Sequence, residues 1–222
     1  MFDTPFLHGC KAVLFDFDGT LVDASEAICT SFNEVLKTRR LAPIPHDSIR
    51  PMIGRPLRDM FREVGAASEE HDLDTCVSLY RDAFLPRSIS LSRLLPGVHT
   101  TVPRLASVMR LSVVTNRVSD GAWRMLHAFG LDTCFTTVVG IDRVRNGKPH
   151  PEPVLLALRE LGVPGDQAVL VGDTVDDIVA AAASGVRAIG VTTGSSPREA
   201  LRQAGAAHVV DRIDELLAAI DP

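Results

Sequence analysis

The feature that most restricts the fold is a series of short, continuous apolar runs rich in β-branched residues. They are KAVLF (11–15), LSVVT (111–115), TTVV (136–139), AVLVG (168–172), RAIGV (187–191) and HVV (208–210). From residue 98 onward each is followed by a longer stretch with helical spacing. A strand with one wet face alternates polar and apolar residues, so unbroken apolar runs separated by helices specify a parallel sheet covered on both faces. The expected fold class is therefore α/β, a doubly wound parallel sheet.

Residues 22–94 break that pattern. They carry no comparable strand, and Ile28, Phe32, Val35 and Leu36 lie at i, i+4, i+7 and i+8 of an expected helix over 25–39. Further helices are expected at about 56–65 and 68–86, with Pro43, Pro45, Pro51 and Pro56 interrupting the run between the first and second. A helical insertion after the first strand makes a small domain of 22–94 on a core formed by 1–21 and 95–222. The 222 residues are enough for such an interrupted domain with a core that needs no staples.

Composition narrows the function classes. The net charge is −5 and no window holds a basic run, which argues against a nucleic-acid partner. No stretch reaches the 18 apolar residues of a membrane span, and the first eleven residues lack a basic segment followed by an apolar one, so a cytoplasmic protein without membrane association is expected. Cys10, Cys29, Cys76 and Cys134 show no paired or metal-ligand spacing and read as reduced, mostly buried thiols.

The chemistry-bearing residues cluster where apolar runs end. Asp16 and Asp18 follow KAVLF, and residues i and i+2 of an extended chain share a side, so both carboxylates can converge on one point. Asp173, Asp176 and Asp177 follow AVLVG, with Asp173 and Asp177 four apart. Helix capping and the helix dipole account for one or two such acids. They leave unexplained why acids follow two different buried strands. Thr115 and Asn116 end a third strand, and Lys148 stands in the proline-stiffened segment Gly147–Pro153. Together these residues offer oxygens for a divalent cation such as Mg²⁺, with a hydroxyl, amides and an ammonium for an anion. Phosphoryl transfer needs that combination of positioning and neutralised charge, and a carboxylate can attack phosphorus to form an acyl phosphate.

Four segments in order, D-F-D-G-T-L-V-D (16–23), V-V-T-N (113–116), G-K-P-H-P-E-P (147–153) and V-G-D-T-V-D-D (171–177), resemble the motifs of the haloacid dehalogenase superfamily. The likeness spans residues 11–220 and is closest to the phosphoglycolate-phosphatase-like branch, whose helical cap follows the first motif. The resemblance implies a Mg²⁺-dependent phosphatase acting on a small phosphorylated metabolite through an aspartyl-phosphate. It implies Asp16 as nucleophile, Asp18 as general acid and base, Thr115 and Asn116 on the phosphoryl oxygens, and Lys148 as stabiliser of the nucleophile and the transferring charge. The metal would sit on Asp16, the Asp18 carbonyl and Asp173, with Asp177 orienting Lys148 or a metal-bound water. A cap loop near residues 50–57 would select the substrate, through Arg55 or Arg50 if either meets a second anionic group.

Other readings stay open at this level. A sugar-phosphate mutase would keep the same core, and a non-catalytic protein could ligate a phosphorylated partner. The Asp18 carboxyl argues against dehalogenation, and Lys37, the cap's one lysine, reads as a solvated helix residue. His150 reads as a solvent-side neighbour of Lys148, Trp123 with Met125, Leu126 and Phe129 as a face packed on the sheet, Gly194–Pro197 as a turn, and ELLAAI (215–220) as a closing amphipathic helix. The chain is expected to be a monomer or homodimer.

Overall fold

The computed structural model describes residues 7–219. Six strands form one parallel sheet: β1 (Ala12–Phe15), β4 (Arg110–Val114), β5 (Thr137–Val139), β6 (Ala168–Gly172), β7 (Arg187–Val191) and β8 (His208–Val210), in the order β5-β4-β1-β6-β7-β8. β1 is central, pairing with β4 on one side and β6 on the other. Its residues alternate between two cores: Val13 and Phe15 join a cluster continuous with the cap, while Ala12 and Leu14 join a second beneath the opposite face. Both faces are dry, as the unbroken apolar runs require.

Between β1 and β4 the chain leaves and returns through a stem of two short antiparallel strands, β2 (Val22–Asp23) and β3 (Arg93–Leu94). An Arg93–Asp23 ion pair of 2.7 Å closes the stem. The inserted segment was expected to hold helices alone; two-residue strands are too short to leave a periodic signature. It contains α1 (Ser25–Thr38), α2 (His46–Ile49), a 3-10 turn (Arg50–Met52), α3 (Leu57–Glu63) and α4 (Glu70–Phe84). The expected helices are therefore present, with the proline-rich stretch adding α2 and the 3-10 turn.

Packing follows the stripe predicted for α1. Ile28, Phe32, Val35 and Leu36 of α1 are buried, as are Leu73, Cys76, Tyr80 and Phe84 of α4. The rings of Phe32 and Phe61 stack at 4.5 Å, Phe61 meets Tyr80 edge-on, and Tyr80 stacks on Phe84 at 5.6 Å. This aromatic file is the spine of the cap.

The remaining helices cover the sheet: α5 (Val98–Ala106), α6 (Ser119–Ala128), α7 (Glu152–Leu161), α8 (Val175–Ala183) and α9 (Arg198–Gln203). Met125 and Leu126 are buried on α6, with Trp123 and Phe129 half-buried beside them, as expected of a packed face. Cys29 and Cys76 are buried free thiols, whereas Cys10 and Cys134 are only half-buried. The closing segment is a 3-10 helix, Ile213–Ala219, rather than an α-helix. The Glu215 carboxylate turns back to accept the N–H groups of Asp211 and Arg212, which tightens the entry to that turn. Residues 1–6 of the expected core, the leading part of the N-terminal segment, and residue 220 of the expected last helix lie outside the described residues.

Truncating the centre of the aromatic file should expose how far the cap depends on it. Phe61→Ala is expected to lower the unfolding free energy by about 3–5 kcal/mol, read by urea denaturation under circular dichroism. A change below about 1 kcal/mol would show that the ring file does not hold the cap.

Candidate active site

The carboxyl ends of β1, β4 and β6 lie side by side because these strands are neighbours in register. Each run of buried apolar residues stops there, and the next polar residue is held at the sheet's edge with little access to water. Asp16, Thr115, Lys148 and Asp173 are each 3% exposed or less, and Asp177 is fully buried. Asp16, Asp173, Asp177 and Lys148 thus converge on one point, whereas the Asp18 carboxyl, expected to converge with Asp16, is drawn away to Arg117.

Lys148 ties them together. Its Nζ donates to Asp16 Oδ1 at 2.6 Å, to Asp177 Oδ1 at 2.6 Å and to the Val114 carbonyl at 2.8 Å, so every ammonium proton has an acceptor. Burial opposes its charge, but Asp16 and Asp177 outweigh that and hold the amine more basic than an ordinary lysine. The second Asp177 oxygen accepts the N–H of Thr174 at 2.9 Å and its hydroxyl at 2.6 Å, while the Thr174 hydroxyl accepts the Asp177 N–H. That reciprocal capping box starts α8. Asp177 therefore both caps the helix and holds Lys148. Gly172 is required beside it: a Cβ there would stand 2.4 Å from the Asp177 carboxyl carbon.

Asp173 has a separate set of donors. The Thr20 hydroxyl reaches Oδ1 at 2.9 Å and the Ser195 N–H reaches Oδ2 at 3.0 Å. The Gly194–Pro197 turn thus belongs to the site through its main chain. Neither contact is signalled by charge or periodicity; Thr20 and Ser195 look like ordinary turn residues in the sequence.

Asp16, Asp173 and Asp177 bring carboxylate oxygens within 4.8 Å of one another. Three buried acids face one ammonium, an excess of negative charge in a dry site. Burial lifts the Asp16 carboxyl to about 7, against the pull of Lys148 and with the push of Asp177 and Asp18. Burial and then the neighbouring Asp16 and Asp177 raise Asp173 well above the usual carboxylate range. A cation answers such a surplus, and an all-oxygen donor set suits a hard one. The Asp18 side chain stands outside this cluster.

Asp18 instead meets a residue that the sequence reading passed over. Arg117 donates Nε to Asp18 Oδ2 at 3.0 Å and Nη2 to Oδ1 at 2.5 Å, a two-pronged pair. Its guanidinium lies 4.5 Å above the Phe84 ring of α4 and 5.6 Å from the Phe17 ring. The signal was an arginine directly after Thr115-Asn116, at the same strand end.

Thr115 Oγ1 accepts the N–H of Arg117. The Asn116 amide is committed to the main chain: its Nδ2 donates to the Gly54 carbonyl at 2.9 Å and the Lys148 carbonyl at 3.1 Å, and its Oδ1 accepts the Lys148 N–H at 2.9 Å. It clamps the Lys148 loop to the cap. Gly54 adopts a φ of 97°, which favours glycine, and a Cβ there would touch the Thr174 methyl at 3.0 Å.

Above these groups a cavity of about 590 Å³ opens between cap and core. Its walls are largely apolar, including Ile28, Met60, Val77, Tyr80 and Phe84, and its floor holds Asp16, Asp18, Thr115 and Arg117. Arg55 lines it and pairs with Glu63 at 2.7 Å. Arg50 points elsewhere, 3.9 Å from Asp47 and on a shallow cleft by Asp23. His150 is exposed, its ring accepting the Glu152 N–H, and Lys37 is exposed on α1. Among the described residues no helix is long and apolar enough to cross a membrane.

Comparison with known proteins agrees with this geometry. Residues 13–191 match the family model of haloacid dehalogenase-like hydrolases. The chain is 34% identical over 213 residues to "Probable phosphatase IndB" of Dickeya dadantii, covering 93% of this chain and 92% of that one. It is 28% identical over 218 residues to a phosphoglycolate phosphatase of Colwellia psychrerythraea, covering 93% and 95%. The crystal structure of a predicted phosphatase from Clostridium acetobutylicum superposes with a TM-score of 0.86 at 28% identity, covering 95% of this chain and 98% of that one. The chain belongs to the haloacid dehalogenase-like hydrolases, an enzyme of their phosphatase branch.

Proposed function

We propose that this chain is a Mg²⁺-dependent phosphatase that hydrolyses a small phosphorylated metabolite through an aspartyl-phosphate on Asp16. The observation that carries the reading is the three-way grip of Lys148 on Asp16, Asp177 and the Val114 carbonyl, behind the Asp16 that lines the floor of a cavity large enough for a metabolite. It fixes the rotation of the Asp16 carboxylate and sets a full positive charge beside the point where phosphoryl charge would build.

In the first step an Asp16 oxygen forms a bond to phosphorus while the bond from phosphorus to the ester oxygen breaks. The departing oxygen takes a proton from the Asp18 carboxyl. Water then attacks phosphorus, gives its proton to Asp18, and the Asp16 oxygen is released with phosphate as product. The Thr115 hydroxyl, at the end of β4, holds a phosphoryl oxygen, with Lys148 neutralising the transferring group. Asn116 serves by clamping the Lys148 loop and the Gly54 carbonyl together. Asp16 and Asp173, with Asp177 behind them, are the residues that would hold Mg²⁺, and the bound ion would supply charge for the phosphate dianion. The surplus of buried carboxylates over ammonium is the support for that ion.

Two outcomes follow. Asp16→Asn should lower phosphate release from a panel containing phosphoglycolate, pyrophosphate, sugar phosphates and nucleotides by at least about a thousand-fold. EDTA should silence the unmodified protein, and acid-quenched turnover should leave a hydroxylamine-sensitive phosphoryl adduct that the variant lacks. Full turnover in Asp16→Asn would sink the covalent mechanism. The second outcome concerns stability without metal. Asp173→Asn removes one surplus charge, and its amide can keep an oxygen toward the Ser195 N–H while donating to Thr20. The metal-free variant should therefore be more stable than the metal-free parent by about 1 kcal/mol or more. Added Mg²⁺ should stabilise the parent and not the variant, as read by thermal denaturation. A destabilised apo-variant would show that the Asp173 charge is not in surplus.

A further inference from the structure

The Arg117–Asp18 pair poses a question that the phosphatase reading leaves open. Asp18 has to present a carboxyl oxygen to the leaving group, yet both its oxygens are occupied by the guanidinium fork of Arg117, at 2.5 and 3.0 Å. The side chains are only 10% and 12% exposed, so the pair sits in a low-dielectric setting where it is strong. Burial alone would weaken the charge on Arg117, but Asp18 outweighs it and keeps the guanidinium fully ionised.

The placement of Arg117 differs from that of the other arginines on the cavity wall. Arg55 is answered by Glu63, and Arg58 by Glu70 and Asp74, acids that belong to the cap surface, while Arg81 is exposed on α4 at the rim. Arg117 is answered by the group that the chemistry needs. Its guanidinium lies over the Phe84 ring at 4.5 Å and the Phe17 ring at 5.6 Å, so aromatic faces add to the hold of Asp18 on its charge. The cavity beyond it is mostly apolar, so an anion entering beside the phosphate would find Arg117 as its nearest deeply placed counter-charge.

Resting on the phosphatase reading, we propose that Arg117 is the specificity-determining residue of this site. Its fork is parked on Asp18 in the empty molecule and transfers to a second anionic group of the substrate, a carboxylate or phosphate close to the ester oxygen. That transfer frees Asp18 to take a proton from the substrate's phosphate monoanion or from water and pass it to the leaving group. The substrate class is thus a phosphomonoester or anhydride bearing a second negative group. A neutral alcohol phosphate leaves the clasp closed and Asp18 engaged. The phosphate meets Asp16 and Thr115 at the cavity floor in either case, and the discrimination lies in what releases Asp18.

The test uses matched pairs in which a methyl replaces the carboxylate: phosphoglycolate with ethyl phosphate, and 3-phosphooxypropionate with propyl phosphate. Phosphate release is measured for the parent protein, Arg117→Lys and Arg117→Gln with Mg²⁺. The parent should favour the acid of at least one pair by about 10- to 100-fold in kcat/KM, the range of a charge-assisted contact. Arg117→Gln should erase that preference from both sides, through a higher KM for the acid and a higher kcat for the neutral ester, whose turnover no longer waits on the clasp. Arg117→Lys, which keeps the charge without the fork, should fall between. Equal losses on both members of a pair would reduce Arg117 to a support for Asp18, and an unchanged preference would remove it from recognition; either result overturns the proposal. Should the parent release phosphate from none of the four and from none of the wider panel above, the phosphatase reading fails first. Calorimetric binding of the same pairs to Asp16→Asn, with and without Arg117→Gln, then decides the matter for Arg117: an acid preference that vanishes with the arginine upholds its role, and its absence refutes it.

Discussion

A single buried ammonium organises this protein's functional end. Lys148 comes from a loop, yet its three protons are distributed among the end of β1 at Asp16, the end of β4 at Val114 and the first turn of α8 at Asp177. Its main chain is held in turn by Asn116, whose amide engages both the N–H and the carbonyl of Lys148. Three elements that neighbour one another only because the sheet is parallel are thereby fixed to one atom. Loss of one partner from a buried charge cluster of this kind costs about 3–5 kcal/mol, so the arrangement tolerates no slack. The price of that rigidity is electrostatic: one ammonium cannot balance three carboxylates.

That imbalance explains the second tier of contacts. Asp173, which Lys148 does not reach, is held by a hydroxyl from the loop after β1 and a main-chain N–H from the turn after β7. Both donors are neutral and orient the carboxylate without cancelling its charge. Gly194 lets that turn close on it, since a Cβ there would overlap an Asp173 oxygen. The surplus is preserved in a defined direction, which is what a hard cation requires of its ligands.

How much of this was legible in the sequence depends on the kind of interaction. The sheet and the placement of Asp16, Thr115 and Asp173 followed from apolar runs that end in polar residues, because burial on two faces leaves no alternative pattern. Lys148 was legible through its prolines and its charge. Three features were not. The β2–β3 stem has two residues a side, below the length at which periodicity exists. The Asn116 amide looked like a ligand group but is consumed by carbonyls brought together by the cap, a long-range fact. Arg117 was hidden because nothing local tells a buried arginine from a solvated one; its burial is decided by Phe84, thirty-three positions earlier, and by Phe17 of the first strand's loop.

The cap touches the chemical groups in few ways, and the character of those contacts separates two tasks. Asn116 holds the cap at the Gly54 carbonyl, and the Ser195 hydroxyl approaches the Ile53 carbonyl at 3.5 Å. Main-chain acceptors of this kind are present whatever side chain the cap carries, so these two contacts are insensitive to cap sequence. Phe84 over Arg117 is different, because a ring is a side chain and the guanidinium below it is bonded to Asp18. Changes along the cavity face of α4 therefore reach Asp18 through Arg117, whereas the 50–57 loop meets the cavity through Arg55 and its floor through the Gly54 carbonyl. Substrate choice and the integrity of the catalytic floor can then vary independently, with the aromatic file of the cap acting on the first and the Lys148 bridge maintaining the second.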